Sequence, residues 1–164
     1  MYKKCKGEIM DEYYRILFVC HGNICRSPMA EFVMKDMVEK NGIGHMFYIA
    51  SAATSTEEIG NPVHRGTRER LAKEGISVEG QYAVQVTKAD YDIYDYIIIM
   101  DDWNMRNIMR IFHADNDHKI HKLMEYAGSD RDVADPWYTG DFDTTYRDVT
   151  AGCKGLLEHI LGGD

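Results

Sequence analysis

A thiol and a guanidinium stand close together early in the chain. They are Cys20 and Arg26, with His21, Gly22, Asn23, Ile24 and Cys25 between them and Ser27-Pro28 behind. These residue types suit phosphoryl transfer to sulfur. The thiolate is the nucleophilic form of cysteine, and cysteines facing a helix N-terminus and a cation have pKa values of roughly 3.5–7.5 in place of about 8.5. Arg26 carries a rigid fork of donors that matches two phosphate oxygens. Gly22 permits a positive φ and a close backbone approach. Asn23 tolerates the left-handed region and can brace a loop through its amide. A Ser27 hydroxyl near the Cys20 sulfur would stabilise it as nucleophile and again as leaving group. Together these parts describe covalent catalysis, with the oxyanion held by backbone amides and one arginine. Two blander readings use the same residues. One is a structural turn around a buried cysteine. The other is a metal site on Cys20, His21 and Cys25, which lacks the second ligand pair of a structural zinc site.

Displacing an alcohol or phenol from phosphorus calls for a general acid. Asp135 is the candidate. It precedes Pro136, which biases it to an extended backbone, and Trp137 and Tyr138 follow. Those aromatics could wall the pocket and stack on a phenyl ring. The alternatives are a simple Asp-Pro turn and aromatic packing unconnected with substrate. Asp101 either orients Arg26 or caps its own helix, and capping is the favoured role.

A frame is needed to bring these groups together. Ile16-Leu17-Phe18-Val19 reads as a short buried strand beginning near Tyr14. Helical spacing follows, with Ser27 suited to the N-cap, Pro28 to the first turn, and Asn41-Gly42 as the stop. Met29, Phe32, Val33 and Met37 form its expected inward stripe. Phe47 to Ala50 reads as a second strand, followed by a hydroxyl-rich loop from Ser51 to Thr56. A helix is expected from His64 to Glu74, ending at Gly75, with Arg65, Arg68, Arg70 and Lys73 on a solvated face. Tyr96 to Met100 is a continuous apolar run, the mark of a strand buried on both faces of a parallel sheet. A helix starting at Asp101-Asp102, a short strand from Ile120 to Met124, an acidic loop from Asp130 to Gly140 and a last helix from Asp143 to Leu161 complete the pattern. Cys153 falls on that helix's apolar stripe and reads as a buried structural thiol. Strands alternating with helices predict an α/β fold with a parallel sheet, whose ligands sit beyond the carboxyl ends of the strands. The Cys20 turn, the Ser51 loop and Asp101 all fall at that edge.

The chain has 164 residues, enough for one domain with a proper core. We expect a flexible extension over residues 1–12, with Cys5 a bystander and Met10 an alternative start, and a single domain over 13–164. The formal net charge of −8 argues against nucleic acid or a membrane surface as the main partner. It would also repel an anionic substrate at long range, so binding must come from local donors. The four cysteines show no disulfide-framework spacing. No signal peptide and no apolar run of membrane-spanning length is seen, so a reducing cytoplasm is the default. No metal or cofactor is called for, and a monomer or weak dimer is expected.

With these residues in view, the chain resembles a low-molecular-weight protein-tyrosine phosphatase. The matching pieces are Cys20 to Pro28, Ser51-Ala52-Ala53-Thr54, Met100-Asp101-Asp102-Trp103-Asn104 and Asp135-Pro136-Trp137-Tyr138, in the family's order. The resemblance implies a three-layer fold, a four-stranded parallel sheet flanked by helices with the phosphate-binding loop after the first strand. It also implies Cys20 as nucleophile, Arg26 as phosphate clamp and Asp135 as acid, later activating water against the phospho-cysteine. Asn23 and Ser27 match loop-bracing and thiolate-stabilising positions, within a support set of His21, Gly22, Asn23, Ile24, Cys25 and Ser27. Cys25 matches a position that pairs reversibly with the nucleophile in some members and so protects it from irreversible oxidation. Ile24, Glu57, Trp137 and Tyr138 would line the substrate pocket. There are departures: many members carry an aromatic where Glu57 aligns, and a histidine and an arginine where Gln81 and Val84 align. The expected substrate is a phosphotyrosine-containing protein or a small aryl phosphate. Protein-arginine phosphatases typically have threonine where Ile24 stands. Thioredoxin-coupled arsenate reductases need two further cysteines in a close later pair, and only Cys153 follows. A non-catalytic phospho-ligand binder would not need thiol, arginine, serine and acid together.

Overall fold

The computed structural model describes residues 13–162, together with Lys4–Cys5 and Glu8–Ile9, whose backbones pair antiparallel. The rest of the expected 1–12 extension, with its alternative start at Met10, lies outside the described residues, as does the side chain of Cys5. The central sheet has four strands: β1 Tyr14–Cys20, β2 Phe47–Ala53, β3 Tyr96–Ile99 and β4 Ile120–Lys122. Their order is β2-β1-β3-β4 and all pairs are parallel. The connections carry α1 Arg26–Lys40, α2 Arg65–Ala72, α3 Asp90–Ile93 and α4 Asp102–Phe112, and α5 Pro136–Thr139 and α6 Phe142–Leu161 follow the last strand.

Period-two alternation along β1 builds two cores from one strand. Ile16, Phe18 and Cys20 point into a cluster with Met29, Val33, Met34, Val149, Cys153 and Leu156, from α1 and α6. Leu17 and Val19 join Ile97, Ile99, Ile108 and Phe112 on the opposite face, against α4. The sheet is therefore the middle of three layers, and its central strands are apolar on both sides, as parallel strands covered by helices must be. Cys153 is fully buried in the first cluster, and burial pushes its thiol pKa up, which keeps it protonated. Where α6 crosses the 3₁₀ turn Leu123–Ala127, Gly155 lets the backbones meet; a methyl group there would overlap the Tyr126 carbonyl. Among the described residues, no helix is long and apolar enough to cross a membrane.

Several boundaries differ from the sequence expectation for identifiable reasons. Helix α1 begins at Arg26 with Cys25 as N-cap, two residues before the expected cap at Ser27. The Ser27 hydroxyl is engaged elsewhere and cannot cap. The buried stripe of α1 is Met29, Ala30, Val33, Met34 and Val38, with Phe32 and Met37 only half-buried at its margin. Strand β2 runs on through Ser51, Ala52 and Ala53, which pair with Phe18, Val19 and Cys20 and so are not loop. Strand β4 stops at Lys122, and Leu123 and Met124 enter the 3₁₀ turn. Arg65 is solvated as expected, but Arg68 donates to the Val63 carbonyl. Arg70 is also inward-held: it pairs with Glu74 and Asp143 and lies over the Tyr146 ring, tying α2 to α6.

Candidate active site

Cys20 is the last residue of β1, and the next five residues turn the chain into α1. The positive φ that the turn requires is at Asn23, φ 58°, and not at Gly22. Asparagine suits that place because its short amide can bond locally while the backbone is left-handed. The Asn23 side chain also sets the direction of a buried hydrogen-bond chain. The Val84 N–H donates to one Asn23 side-chain atom at 3.1 Å, so that atom is the carbonyl Oδ1. The other atom is then the amide Nδ2, which donates to Ser27 Oγ at 2.8 Å and Ser51 Oγ at 2.9 Å. Each serine accepts and has its own proton to give. Ser51 gives it to Glu31 Oε1 at 2.6 Å, and Ser27 Oγ lies 3.1 Å from Cys20 Sγ. Ser27 thus keeps a proton that it can give to the sulfur. The Ser27 backbone N–H, in the first turn of α1, also donates to Cys20 Sγ at 3.4 Å. Hydroxyl, amide and helix terminus converge on one sulfur.

Outer bonds fix the loop's path. Thr54 and Ser55 N–H groups donate to the Cys20 and His21 carbonyls. The His64 N–H donates to the Ile24 carbonyl, and the Thr67 hydroxyl to the Cys25 carbonyl. Glu31 is buried on α1, where Gln81 Nε2 and Lys35 Nζ also bond it. The Cys25 thiol is buried too. Burial, and then the neighbouring Cys20 and Asp135, push its pKa up to about 12, so it is a neutral thiol near pH 7.

Arg26 is buried beneath the loop. Its Nη1 donates to Asp101 Oδ2 at 2.7 Å and to the Val133 carbonyl at 2.9 Å, and its Nη2 reaches Asp135 Oδ2 at 3.4 Å. Burial opposes the charge, but Cys20, Asp101 and Asp135 more than offset it, so the Arg26 pKa is raised further. Asp101 fills both roles weighed for it. Its Oδ2 holds Arg26 while its Oδ1 accepts the Asn104 N–H in the capping box of α4. Asp135 likewise caps α5, accepting the Trp137 N–H at 3.0 Å, while its second oxygen faces Arg26. The Asp-Pro turn and the candidate acid are thus one structure.

A pocket of about 130 Å³ opens over the sulfur, lined by Cys20, Ile24, Glu57, Asp135, Trp137 and Tyr138 among others. Every pocket residue expected from sequence lies on it. Trp137 is 56 % exposed and Tyr138 84 %, so both stand at the mouth and neither is core. Glu57 Oε2 lies 2.7 Å from His21 Nε2 at the exposed rim. His21 and Cys20 thus have partners other than each other. His64, which sequence reasoning passed over, links the walls. Its ring stacks on Phe142 and meets Trp137 edge-on, with centroids 5.4 and 5.5 Å away. Its Nδ1 accepts the Gly66 N–H and caps α2. Gly66 is needed beneath Phe142, since a Cβ there would overlap the ring. The only sequence signal was a histidine at a helix start.

Comparison with known proteins decides the family. The model for low molecular weight phosphotyrosine protein phosphatases matches residues 15–162. The chain belongs to this family. A relative from Bacillus subtilis, low molecular weight protein-tyrosine-phosphatase YfkJ, is 44 % identical over 88 % of this chain and 94 % of its own. The low molecular weight phosphotyrosine protein phosphatase of Gallus gallus is 40 % identical over 90 % of this chain and 96 % of its own. The crystal structure of YfkJ superposes with a TM-score of 0.87 at 42 % identity, covering 92 % of this chain and 96 % of that one.

Gln81 and Val84, where departures from the family pattern were expected, both make bonds near the loop. Val84 braces Asn23 through its backbone N–H, a bond any side chain but proline allows, and its own side chain is exposed. Gln81 reaches both Glu31 Oε1, at 3.2 Å, and Ser51 Oγ, at 3.4 Å, so it still supports the loop.

Proposed function

We propose that this protein-tyrosine phosphatase hydrolyses phosphotyrosine and small aryl phosphates through a phospho-Cys20 intermediate. Cys20 Sγ attacks phosphorus, and the P–O bond to the phenol breaks. Arg26 and the N–H groups of the loop hold the phosphoryl oxygens. Asp135, in its acid form, gives its proton to the leaving oxygen. The resulting carboxylate then takes a proton from water, whose oxygen attacks phosphorus, breaks the S–P bond and releases inorganic phosphate. Ser27 supports the sulfur in both halves of the cycle, because the hydrogen bond that steadies the attacking thiolate also steadies the departing one.

The observation that carries this reading is the set of donors fixed on Cys20 Sγ, with Arg26 below and the Asp135 carboxylate across the same pocket. Ile24 beside the sulfur and the ring of Trp137 offer apolar surface to a flat phenyl group, which favours phosphotyrosine over phosphoarginine. The substrates would be phosphotyrosine-containing proteins, met in the cytoplasm by a monomer or weak dimer. Three free thiols among the described residues, Cys20, Cys25 and Cys153, are consistent with a reducing compartment. Rates on matched phosphotyrosine and phosphoarginine peptides test the specificity. The expected result is a kcat/KM at least tenfold higher for phosphotyrosine; equal rates or the reverse order would overturn it.

A further inference from the structure

Beside the phosphate pocket lies a second recess whose far side the reaction does not use. It is larger, about 650 Å³, and is bordered by Trp103 and Asn107 of α4 on its far side. His21, Arg26, Asp135 and Tyr138 border both hollows, so they form the partition between them. Because the two hollows share four lining residues, a polypeptide bound at the pocket passes beside the recess.

The chemistry of the lining selects what fits. Trp103 is 66 % exposed and Tyr138 stands out on the opposite side, two large rings facing solvent at one opening. Exposed aromatics grouped at a cleft mark a place where something apolar is covered. One face of the Trp103 indole is occupied by the Arg106 guanidinium, 4.8 Å from the ring centre, which orients the ring. The carboxylates at the recess are already engaged: Asp101 with Arg26 and the Asn104 N–H, Asp135 with Arg26 and the Trp137 N–H. They offer little to a cation.

We propose that this recess holds the side chain next to the phosphotyrosine in a protein substrate, and that it prefers an aromatic residue there. The proposal rests on the phosphatase reading above. Trp103 is then a specificity-determining residue acting on the substrate chain and not on the reacting atoms. Phenyl phosphate fills the smaller pocket alone and does not reach it.

The test is a panel of phosphotyrosine peptides differing only at the residue before or after the phosphotyrosine, with phenylalanine, alanine, aspartate or lysine at that place. The expected result is a kcat/KM about fivefold to tenfold higher for phenylalanine than for alanine on one of the two sides. That gain should vanish in Trp103→Ala, measured as the ratio of the two peptides within the same enzyme, so a partly folded preparation does not mimic it. A flat panel with phenyl phosphate still turned over would overturn the recess alone. A preference for lysine or aspartate, or an aromatic gain that survives Trp103→Ala, would also overturn it. Failure on phenyl phosphate and every peptide would instead overturn the phosphatase reading and this proposal with it.

Discussion

At the scale of single residues, the site is governed by who donates to whom. One backbone N–H, that of Val84, fixes the Asn23 amide and through it the proton of Ser27. Removing that proton in Ser27→Ala leaves the sulfur with one donor fewer. A drop of roughly 10²–10³-fold in kcat on phenyl phosphate is expected, the scale of losing one preorganised donor; an unchanged kcat would show that the hydroxyl does not act on the sulfur. Asp135→Ala removes the acid and should cost about 10²–10⁴-fold on phenyl phosphate. The loss should be much smaller on an aryl phosphate with a very good leaving group, which leaves without protonation. Equal losses on the two substrates would refute the assignment. Cys25 is held as a neutral thiol by burial. It must therefore lose its proton as it reacts: peroxide gives a Cys20 sulfenic acid, and the Cys25 sulfur attacks it, forming the S–S bond while its proton and the sulfenic hydroxyl leave as water. Peptide mapping after mild peroxide should find the Cys20–Cys25 disulfide, two hydrogens lighter. Over-oxidised Cys20 without that link would contradict the guard role. At this scale the loop from Cys20 to Ser27 was legible because its residues are close in sequence, and Asp135 because its Pro136-Trp137-Tyr138 neighbours are distinctive. Glu31, Gln81 and His64 were less legible. Their contacts, Glu31 to Ser51, Gln81 to Glu31 and His64 to Trp137, join positions far apart in sequence.

At the scale of elements, the differences from expectation share a cause. Local propensity put the α1 cap at Ser27, but the site claims that hydroxyl, so the helix starts at Arg26 and points its first amides at the sulfur. Small residues after Ala50 suggested a loop, yet β2 continues because its neighbour β1 is long enough to pair with it to Cys20. The arginines of α2 looked like a solvated face until α6 supplied Asp143 and Tyr146 as partners for Arg70. His64 joins α2, the pocket wall and the loop. His64→Ala removes the cap and the ring contacts, and should cost about 1 kcal/mol of stability. It should also raise KM for phenyl phosphate more than it lowers kcat, since Trp137 loses its edge contact; a pure kcat effect would argue against a wall role. Asp115 bears on the far end of the sheet. Burial alone would raise its carboxyl pKa, but bonds from the Tyr91 hydroxyl and the Lys119 and Ile120 N–H groups hold it below the usual 3.8. A carboxyl depressed on folding stabilises above its unfolded value and loses that contribution as pH falls through the folded one. Wild type should therefore exceed Asp115→Asn by about 1 kcal/mol near neutral pH, with the gap closing below about pH 3.8 in denaturant titrations. A gap that is the same at all pH values would contradict the linkage.

At the scale of the molecule, the alternation of strands and helices made the three-layer parallel sheet legible. So was the placement of the site, because ligands in such sheets gather beyond the strand ends. Charge adds a constraint that no local motif carries. With a formal net charge of −8, the chain repels a phosphate ester at long range and must capture it by short-range donors. Screening acts mainly on the first effect, since the Debye length is about 10 Å at 0.1 M salt. KM for phenyl phosphate should fall, by about twofold, as sodium chloride rises from a few millimolar to about 0.1 M; a rise in KM would mean that local attraction dominates at all ranges. The central claim, that phosphorus passes through sulfur, is tested most directly by trapping the intermediate. Asp135→Ala mixed with an activated aryl phosphate and rapidly denatured should carry one phosphoryl group on the Cys20 peptide, located by mass spectrometry. Turnover with no phosphoryl-enzyme, or with the label on His21 or any other residue, would contradict the account.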